Sequence, residues 1–315
     1  MTETIREKFT REKKAEIDKL IDPNTGMVWG DLVHRVECPI CEYDTGLIVF
    51  EKQGFNTTRC QLCGLLYTNP QLKKDICEGF YIDSAMARNF VPLQEEEMDL
   101  NARNKYLPLL EAINKIRPGG KMLDVGCSTG QFMGLSKVYG WDPIGLEINA
   151  QAADYGIKNR GLYISTDTLE EHAKNKDQYD MISMLGVFEH MVEPNKTLQI
   201  CKDLLNPDGI LTLLLPNIHS LILRVMQEKH TMISPRGHLW YFSPDTIEKI
   251  LKKNGYKVVM LFSLLPCVDE IEKHLNYGGR EFSFSLPEKY QLEAMILKRN
   301  MGGKLVVIAR KDNDV

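Results

Sequence analysis

The sequence predicts an α/β protein in which a doubly wound, mainly parallel sheet of seven strands follows a small cysteine-rich module. Three observations carry that reading. From Lys121 onward, short apolar strands alternate with helical stretches, as a parallel sheet covered on both faces requires. The run Lys121-Met-Leu-Asp-Val-Gly-Cys-Ser-Thr-Gly-Gln-Phe132 takes one such strand straight into a glycine turn and a helix start. Ahead of the sheet, Cys38-Pro-Ile-Cys41 and Cys60-Gln-Leu-Cys63 form a C-x₂-C-x₁₈-C-x₂-C pattern.

Taken in order, residues 1–35 begin with a charged helical segment whose imperfect stripe is Ile5, Phe9, Ile17, Leu20 and Ile21. Pro23-Asn-Thr-Gly26 breaks it, and a surface helix packing on its own domain is expected. Residues 36–70 hold the cysteine pairs among short alternating strands. Residues 71–117 are a connector, acidic around Glu95–Glu97, followed by a helical stripe of Tyr106, Leu109, Leu110, Ile113 and Ile116. Pro108 kinks or opens that helix, and Pro118-Gly-Gly120 closes it. Residues 118–315 carry the sheet, with strands expected at 121–125, 142–147, 161–165, 179–185, 209–215, 256–262 and 304–310. Ser243 caps a helix over 244–254, Pro244 takes its first position, and Gly255 stops it. Residues 266–303 form a variable insertion with an alternating Phe282-Ser-Phe284 piece and a helix around Tyr290–Leu297.

Composition narrows the function. A chain of 315 residues with 43% hydrophobic content can bury a substantial core, and its net charge of −4 leaves no basic footprint for nucleic acid. Polar residues interrupt every apolar stretch before membrane-spanning length, so no membrane partner is expected. The charged N-terminus lacks a signal core, which makes a reducing cytoplasm the expected compartment. The eight cysteines are therefore not a disulfide framework. Two of the pairs instead have the spacing of a structural zinc site: each knuckle gives two thiolates, and four thiolates close a tetrahedron without room for water. Gly64, just after the second knuckle, stands where a positive φ is often needed. Cys77, Cys127, Cys201 and Cys267 read as packing residues.

The turn at Gly126–Gly130 lets a ligand press on the backbone, and Glu147, about 20 residues on, ends a second strand where a carboxylate accepts from ribose hydroxyls. Gly126-x-x-x-Gly130 lacks the G-x-G-x-x-G spacing of a nicotinamide site. Asp124 points the same way, since a carboxylate there repels pyrophosphate yet suits a ligand bearing an ammonium and a sulfonium.

Leu123–Phe132 with Glu147 resembles the first two cofactor motifs of class I S-adenosylmethionine (SAM) dependent methyltransferases, with Ser128 where that family often has glycine. The resemblance implies a Rossmann-like seven-stranded methyltransferase sheet whose last strand inserts antiparallel. It also implies that Asp124, Gly126, Cys127, Ser128, Gly130 and Phe132 surround the methionine part of SAM. Glu147 would hold the ribose and Ile148 would cover the adenine. Asp167 and Thr168 match the adenine-edge position, although a helix cap explains them equally. Leu185 and Gly186 match the segment beneath the sulfonium. Cys63-Gly-Leu-Leu-Tyr-Thr-Asn-Pro70 followed by Phe80-Tyr81 resembles the zinc-binding N-terminal module of certain bacterial methyltransferases, many of which act on sugars or other small metabolites.

The expected reaction is therefore O-methylation of a small hydroxylated acceptor, a sugar or nucleotide-sugar first. C-methylation of a keto-sugar, N-methylation of an amino-sugar and a non-enzymatic zinc-ribbon scaffold stay open, as does the oligomeric state. A hydroxyl needs a base, and histidine suits that role near neutral pH. His190, His238 and, more weakly, His219 follow strands whose ends face the cofactor crevice. His190 and His238 are the expected catalytic pair. Residues 218–242 are long for a connection and form a lid or substrate wall, in which Arg224 and Arg236 can hold a phosphate or carboxylate.

Overall fold

The computed structural model describes residues 3–44, 46–276 and 282–312, apart from the side chains of Met86 and Phe90. The charged N-terminus forms α1 (Ile5–Asp18), started by a capping box between Thr4 and Glu7. Short strands follow: β1 (Val33–His34), β2 (Gly46–Lys52), β3 (Phe55–Cys60), β4 (Leu66–Thr68) and β5 (Gln71–Leu72). The segment expected as a plain connector is largely helical, with α2 (Lys74–Ile82), α3 (Ala85–Glu96) and α4 (Met98–Asn101). A π-turn over 102–106 leads into α5 (Leu107–Ile116), where Pro108 lies in the first turn and so opens the helix rather than kinking it.

The sheet region alternates as expected. It runs β6 (Gly120–Val125), α6 (Gln131–Ser136), β7 (Trp141–Leu146), α7 (Ala150–Arg160), β8 (Tyr163–Ser165), α8 (Leu169–His172) and β9 (Tyr179–Leu185). Then come α9 (Pro194–Leu204), β10 (Leu205–Pro216), α10 (Leu221–Met226), β11 (Trp240–Tyr241), α11 (Pro244–Lys253) and β12 (Tyr256–Leu264). The chain closes with α12 (Val268–Leu275), α13 (Leu286–Lys298) and β13 (Lys304–Lys311). Seven strands pair in the order β12-β13-β10-β9-β6-β7-β8. Five are mutually parallel, and β13 lies antiparallel to both β10 and β12.

Local chemistry explains most boundaries. Ser243 caps α11, Pro244 opens it, and Gly255 (φ 73°) ends it. Gly161, at φ 60°, is the left-handed cap of α7, so β8 starts two residues later than its apolar pattern suggests. Phe282-Ser-Phe284 forms no strand; its two rings meet edge to face, 4.9 Å apart. Ile210–Leu215 and Leu305–Ala309 are buried throughout, because helices cover both faces of the sheet centre.

One pairing was not legible beforehand. β11, from the loop ahead of α11, joins the N-terminal sheet, whose order is β11-β4-β3-β2. Trp240 faces Tyr67 across that ladder, their rings 5.9 Å apart, and the indole N–H donates to the Met191 carbonyl at 2.7 Å. The apolar core is accordingly continuous from Cys38, Phe55 and Tyr67 through Phe188 and Phe242 to Leu205 and Leu213. Among the described residues no helix is long and apolar enough to cross a membrane.

Candidate active site

The glycine turn leaves the end of β6 and is stitched to β7: the N–H groups of Gly126 and Cys127 both donate to the Leu146 carbonyl, at 2.7 and 3.0 Å. Gly126, Ser128 and Gly130 have φ of 68°, 56° and 76°. A side chain at Gly126 would meet Val187 and one at Gly130 would meet Leu162, so both positions need glycine for space as well as for conformation. Glu147 reaches back across the turn, accepting from Ser128 N–H at 2.9 Å and Asn149 N–H at 2.8 Å. Asp124 is 2% exposed and accepts from the Ser183 hydroxyl at 2.6 Å. Ser128 Oγ is buried with no partner among the described residues. Two buried carboxylates, an orphaned hydroxyl and a backbone cleared of side chains fit a polar, cationic ligand such as SAM.

Burial pushes the Asp124 carboxyl up to about 7, against the Ser183 hydrogen bond that favours its ionised form, and Glu147 is raised by the same desolvation. This gives two opposite pH dependences. The folded protein holds a proton on Asp124 that the unfolded chain releases near 3.8, so this residue's contribution to stability falls as pH rises from about 4 to 7. Affinity for cationic SAM should instead rise over pH 6 to 8 and then level off. Calorimetry across that range checks it; a flat profile, or one shared by Asp124→Asn, would refute the assignment.

The remaining cofactor candidates divide by side chain. Cys127 is buried, its sulfur beside Gly145 and 3.8 Å from the Ser128 carbonyl, and burial holds its thiol well above the usual range. Phe132, in the first turn of α6, is 3% exposed and its ring packs 5.5 Å from Tyr106. Ile148, Leu185 and Gly186 are half-buried around the strand ends. Asp167 and Thr168 are exposed, and Thr168 makes the capping box of α8 with Glu171 while Asp167 accepts from Ser165 Oγ at 2.7 Å. The cap reading thus has a geometric basis. Missing from the sequence reading was α3, which lies over the turn: Glu95 accepts from Thr129, Tyr155 and Arg160, and the Ala87 carbonyl accepts from Asn149.

His190 and His238 come together although they lie on different loops. Their ring centroids are 4.8 Å apart. His190 Nδ1 lies 2.7 Å from the Gly237 carbonyl and His238 Nδ1 lies 2.7 Å from the Met232 carbonyl. A carbonyl can only accept, so both Nδ1 atoms carry a hydrogen, and among the described residues neither Nε2 makes a hydrogen bond. Burial, with the charges of His190 and Lys304, holds His238 well below its usual range. Glu189, not singled out from the sequence, is 1% exposed; its Oε2 has no partner among the described residues, and ligand atoms of Glu189, His190 and His238 lie within 4.8 Å of one another. Tyr81 completes this wall, 5.7 Å from the His190 ring, its phenol kept protonated by burial and by the charge of Glu189. His219 lies apart, its Nδ1 3.0 Å from Arg224 Nη2.

The four cysteines converge as their spacing demands. Their sulfurs lie within 4.8 Å of one another, Cys38 and Cys63 at 3.5 Å. Zn–S bonds of about 2.3 Å in a tetrahedron set the sulfurs ~3.8 Å apart, so the cluster fits a zinc ion. Gly64 has φ 82°, and its N–H closes the second knuckle on the Cys60 carbonyl at 3.0 Å.

Comparison with known proteins fits this geometry. The family described as a methyltransferase domain matches residues 97–261, which is 165 of 315 residues. The chain belongs to the methyltransferase domain family. Among curated members it is similar to the mitochondrial ubiquinone biosynthesis O-methyltransferase of Bos taurus, 30% identical over 165 residues, 47% of this chain and 44% of that protein. It is also similar to the ubiquinone biosynthesis O-methyltransferase of Roseobacter denitrificans, 29% identical over 44% of this chain and 60% of that protein. The chain thus spans about half the length of these relatives. Among solved structures, a SAM-dependent methyltransferase from Thermotoga maritima has TM-score 0.50 and 20% identity, covering 72% of this chain and 97% of that one. One from Archaeoglobus fulgidus has TM-score 0.50 and 19% identity, over 70% and 99%. At that identity the two structures speak for the methyltransferase fold alone.

Proposed function

We propose that this chain is a SAM-dependent methyltransferase that methylates a hydroxyl of a small molecule, with a structural zinc in its four-cysteine cluster. The observation that carries the reaction is the His190–His238 pair, whose Nδ1–H groups are engaged and whose Nε2 atoms have no hydrogen-bond partner among the described residues. Asp124, Glu147, Ile148, Leu185, Gly186 and the backbone of Gly126–Gly130 would hold SAM, which when bound supplies a methyl group on a good leaving group. The chain's own residues then align the acceptor and take its proton at His190 Nε2, while Glu189 favours the imidazolium that results. Similarity to ubiquinone biosynthesis O-methyltransferases supports oxygen as the methylated atom.

A sugar or nucleotide-sugar acceptor is proposed on different grounds, the likeness of residues 63–81 to zinc modules of sugar-acting enzymes. The division into residues 1–35, 36–70, 71–117 and 118–315 is proposed with it. Incubation with labelled SAM and a panel of sugars, nucleotide-sugars and phenols, read by mass spectrometry, tests both proposals. One methyl ether on a panel member is the expected product. A methyl on carbon or nitrogen in product NMR overturns O-methylation, and transfer to phenols alone overturns the sugar reading. Absence of S-adenosylhomocysteine binding by calorimetry would overturn the enzyme itself.

A further inference from the structure

We propose that Arg236 is an anion-binding residue of the acceptor site, and that Glu16 of α1 occupies its place until an anionic group on the acceptor displaces it. The inference rests on the methyltransferase reading above only in calling the bound molecule an acceptor. Arg236 is 6% exposed, and its guanidinium stacks on Phe80 with 4.0 Å to the ring centroid. A guanidinium has five donors. Among the described residues the side chain's one acceptor is Glu16 Oε2, at 3.4 Å, well beyond the 2.7–2.9 Å usual for a charge-assisted bond. Glu16 has better partners of its own, since its Oε1 accepts from Ala85 N–H at 2.6 Å and from Arg88 Nη2 at 3.2 Å. A buried cation held this loosely is poorly compensated for its lost hydration.

The surroundings add to the positive charge. Burial and the charges of Arg236 and Lys52 hold Lys13, on α1, below its ordinary range, and Lys13 has no ion pair among the described residues. Lys52 donates to the His230 carbonyl rather than to a carboxylate. Two arginines, Arg236 and Arg88, therefore share the Glu16 carboxylate, while Lys13 adds positive charge beside Arg236 and Lys52 has Glu228 for its own counter-charge. Position ties this cluster to the reaction: Arg236 precedes Gly237, whose carbonyl takes the His190 Nδ1–H, and Phe80 precedes Tyr81, which flanks the His190 ring. An acceptor whose phosphate or carboxylate engages Arg236 would bring its hydroxyl toward His190.

The alternative is that the Arg236–Glu16 pair merely pins α1. The two differ in sign. With inorganic phosphate titrated calorimetrically into the full chain, Glu16→Gln should bind about tenfold more tightly than the native protein, because the internal competitor is gone while the amide still accepts from Ala85. Arg236→Gln should bind at least tenfold more weakly, and added salt should weaken the native protein's binding. Acetate in parallel distinguishes a carboxylate subsite from a phosphoryl one. Phosphate binding that is unchanged or weaker in Glu16→Gln, or retained in Arg236→Gln, overturns the proposal. If Arg236→Gln does not fold, the sign in Glu16→Gln decides alone. S-adenosylhomocysteine binding, measured on the same samples, tests the methyltransferase reading separately.

Discussion

Stripping the metal from the full chain with a strong chelator is expected to abolish methyl transfer while leaving cofactor binding within a few-fold of its native value. A four-thiolate zinc contributes an apparent ~10–16 kcal/mol, against ~5–15 kcal/mol for the net stability of a whole domain. Burial raises the Cys38 and Cys41 thiols, the latter to about 12, so an ion must displace their protons to bind them as thiolates. The damage should travel by a traceable route. β4 begins two residues past Gly64 and carries Thr68, whose N–H donates to the Leu239 carbonyl and whose hydroxyl lies 3.1 Å from the His238 carbonyl. Leu239 N–H donates in turn to the Glu189 carbonyl. Loss of β4 thus removes the support of His238 and loosens the chain next to His190, whereas the glycine turn keeps its own anchorage on β7. Hydrogen exchange should accelerate in peptides covering 46–68 and 235–242 and not in 121–147. Full turnover after complete metal removal would sink this expectation, as would uniform exchange.

His190→Ala is expected to lower turnover by roughly 10²–10⁴-fold with little change in S-adenosylhomocysteine affinity. His238→Ala should cost far less, about tenfold, and the reason is electrostatic. A base works best when its pKa lies near the operating pH, and burial keeps His238 well below the usual histidine range, so it accepts a proton poorly. Its ring serves instead to hold the wall against His190 and Tyr241, the latter 6.1 Å away. Equal and full activity in both would remove histidine base catalysis from consideration.

What could be read from the sequence was chemistry confined to short range. The strands of the sheet announced themselves by apolar runs, the cap of α11 by Ser243-Pro244, and the glycine turn and cysteine knuckles by fixed local spacing. The illegible parts depend on distant partners. α3 contains Pro92 and ends in acidic residues, which together read as a connector; Arg6 pairs with Glu96 and Glu97, and Arg160 with Glu95, all from elsewhere in the chain. β11 is two residues long and exists as a strand only because β4, some 170 positions earlier, presents an open edge. Glu189 reads in the sequence as an ordinary charged residue, and only the fold buries it close to His190 and His238. The short Phe282-Ser-Phe284 alternation shows the reverse: three residues without a neighbouring strand are not a strand.

The placement of β13 has a consequence for how the protein is made. It is the last of the seven strands in the chain yet lies second in the sheet, joining β10 to β12 and burying Leu305–Ala309 between them. During synthesis the five parallel strands and β12 leave the ribosome first, and β10 must wait with an apolar, unpaired edge until residues near 311 emerge. At the usual ~5–20 residues per second, the interval between completing β10 and completing β13 is several seconds. For that time the nascent chain offers a sticky edge to other strands, a situation that chaperones exist to cover. Closure of the sheet thus waits on the emergence of β13, well after its other six strands are made.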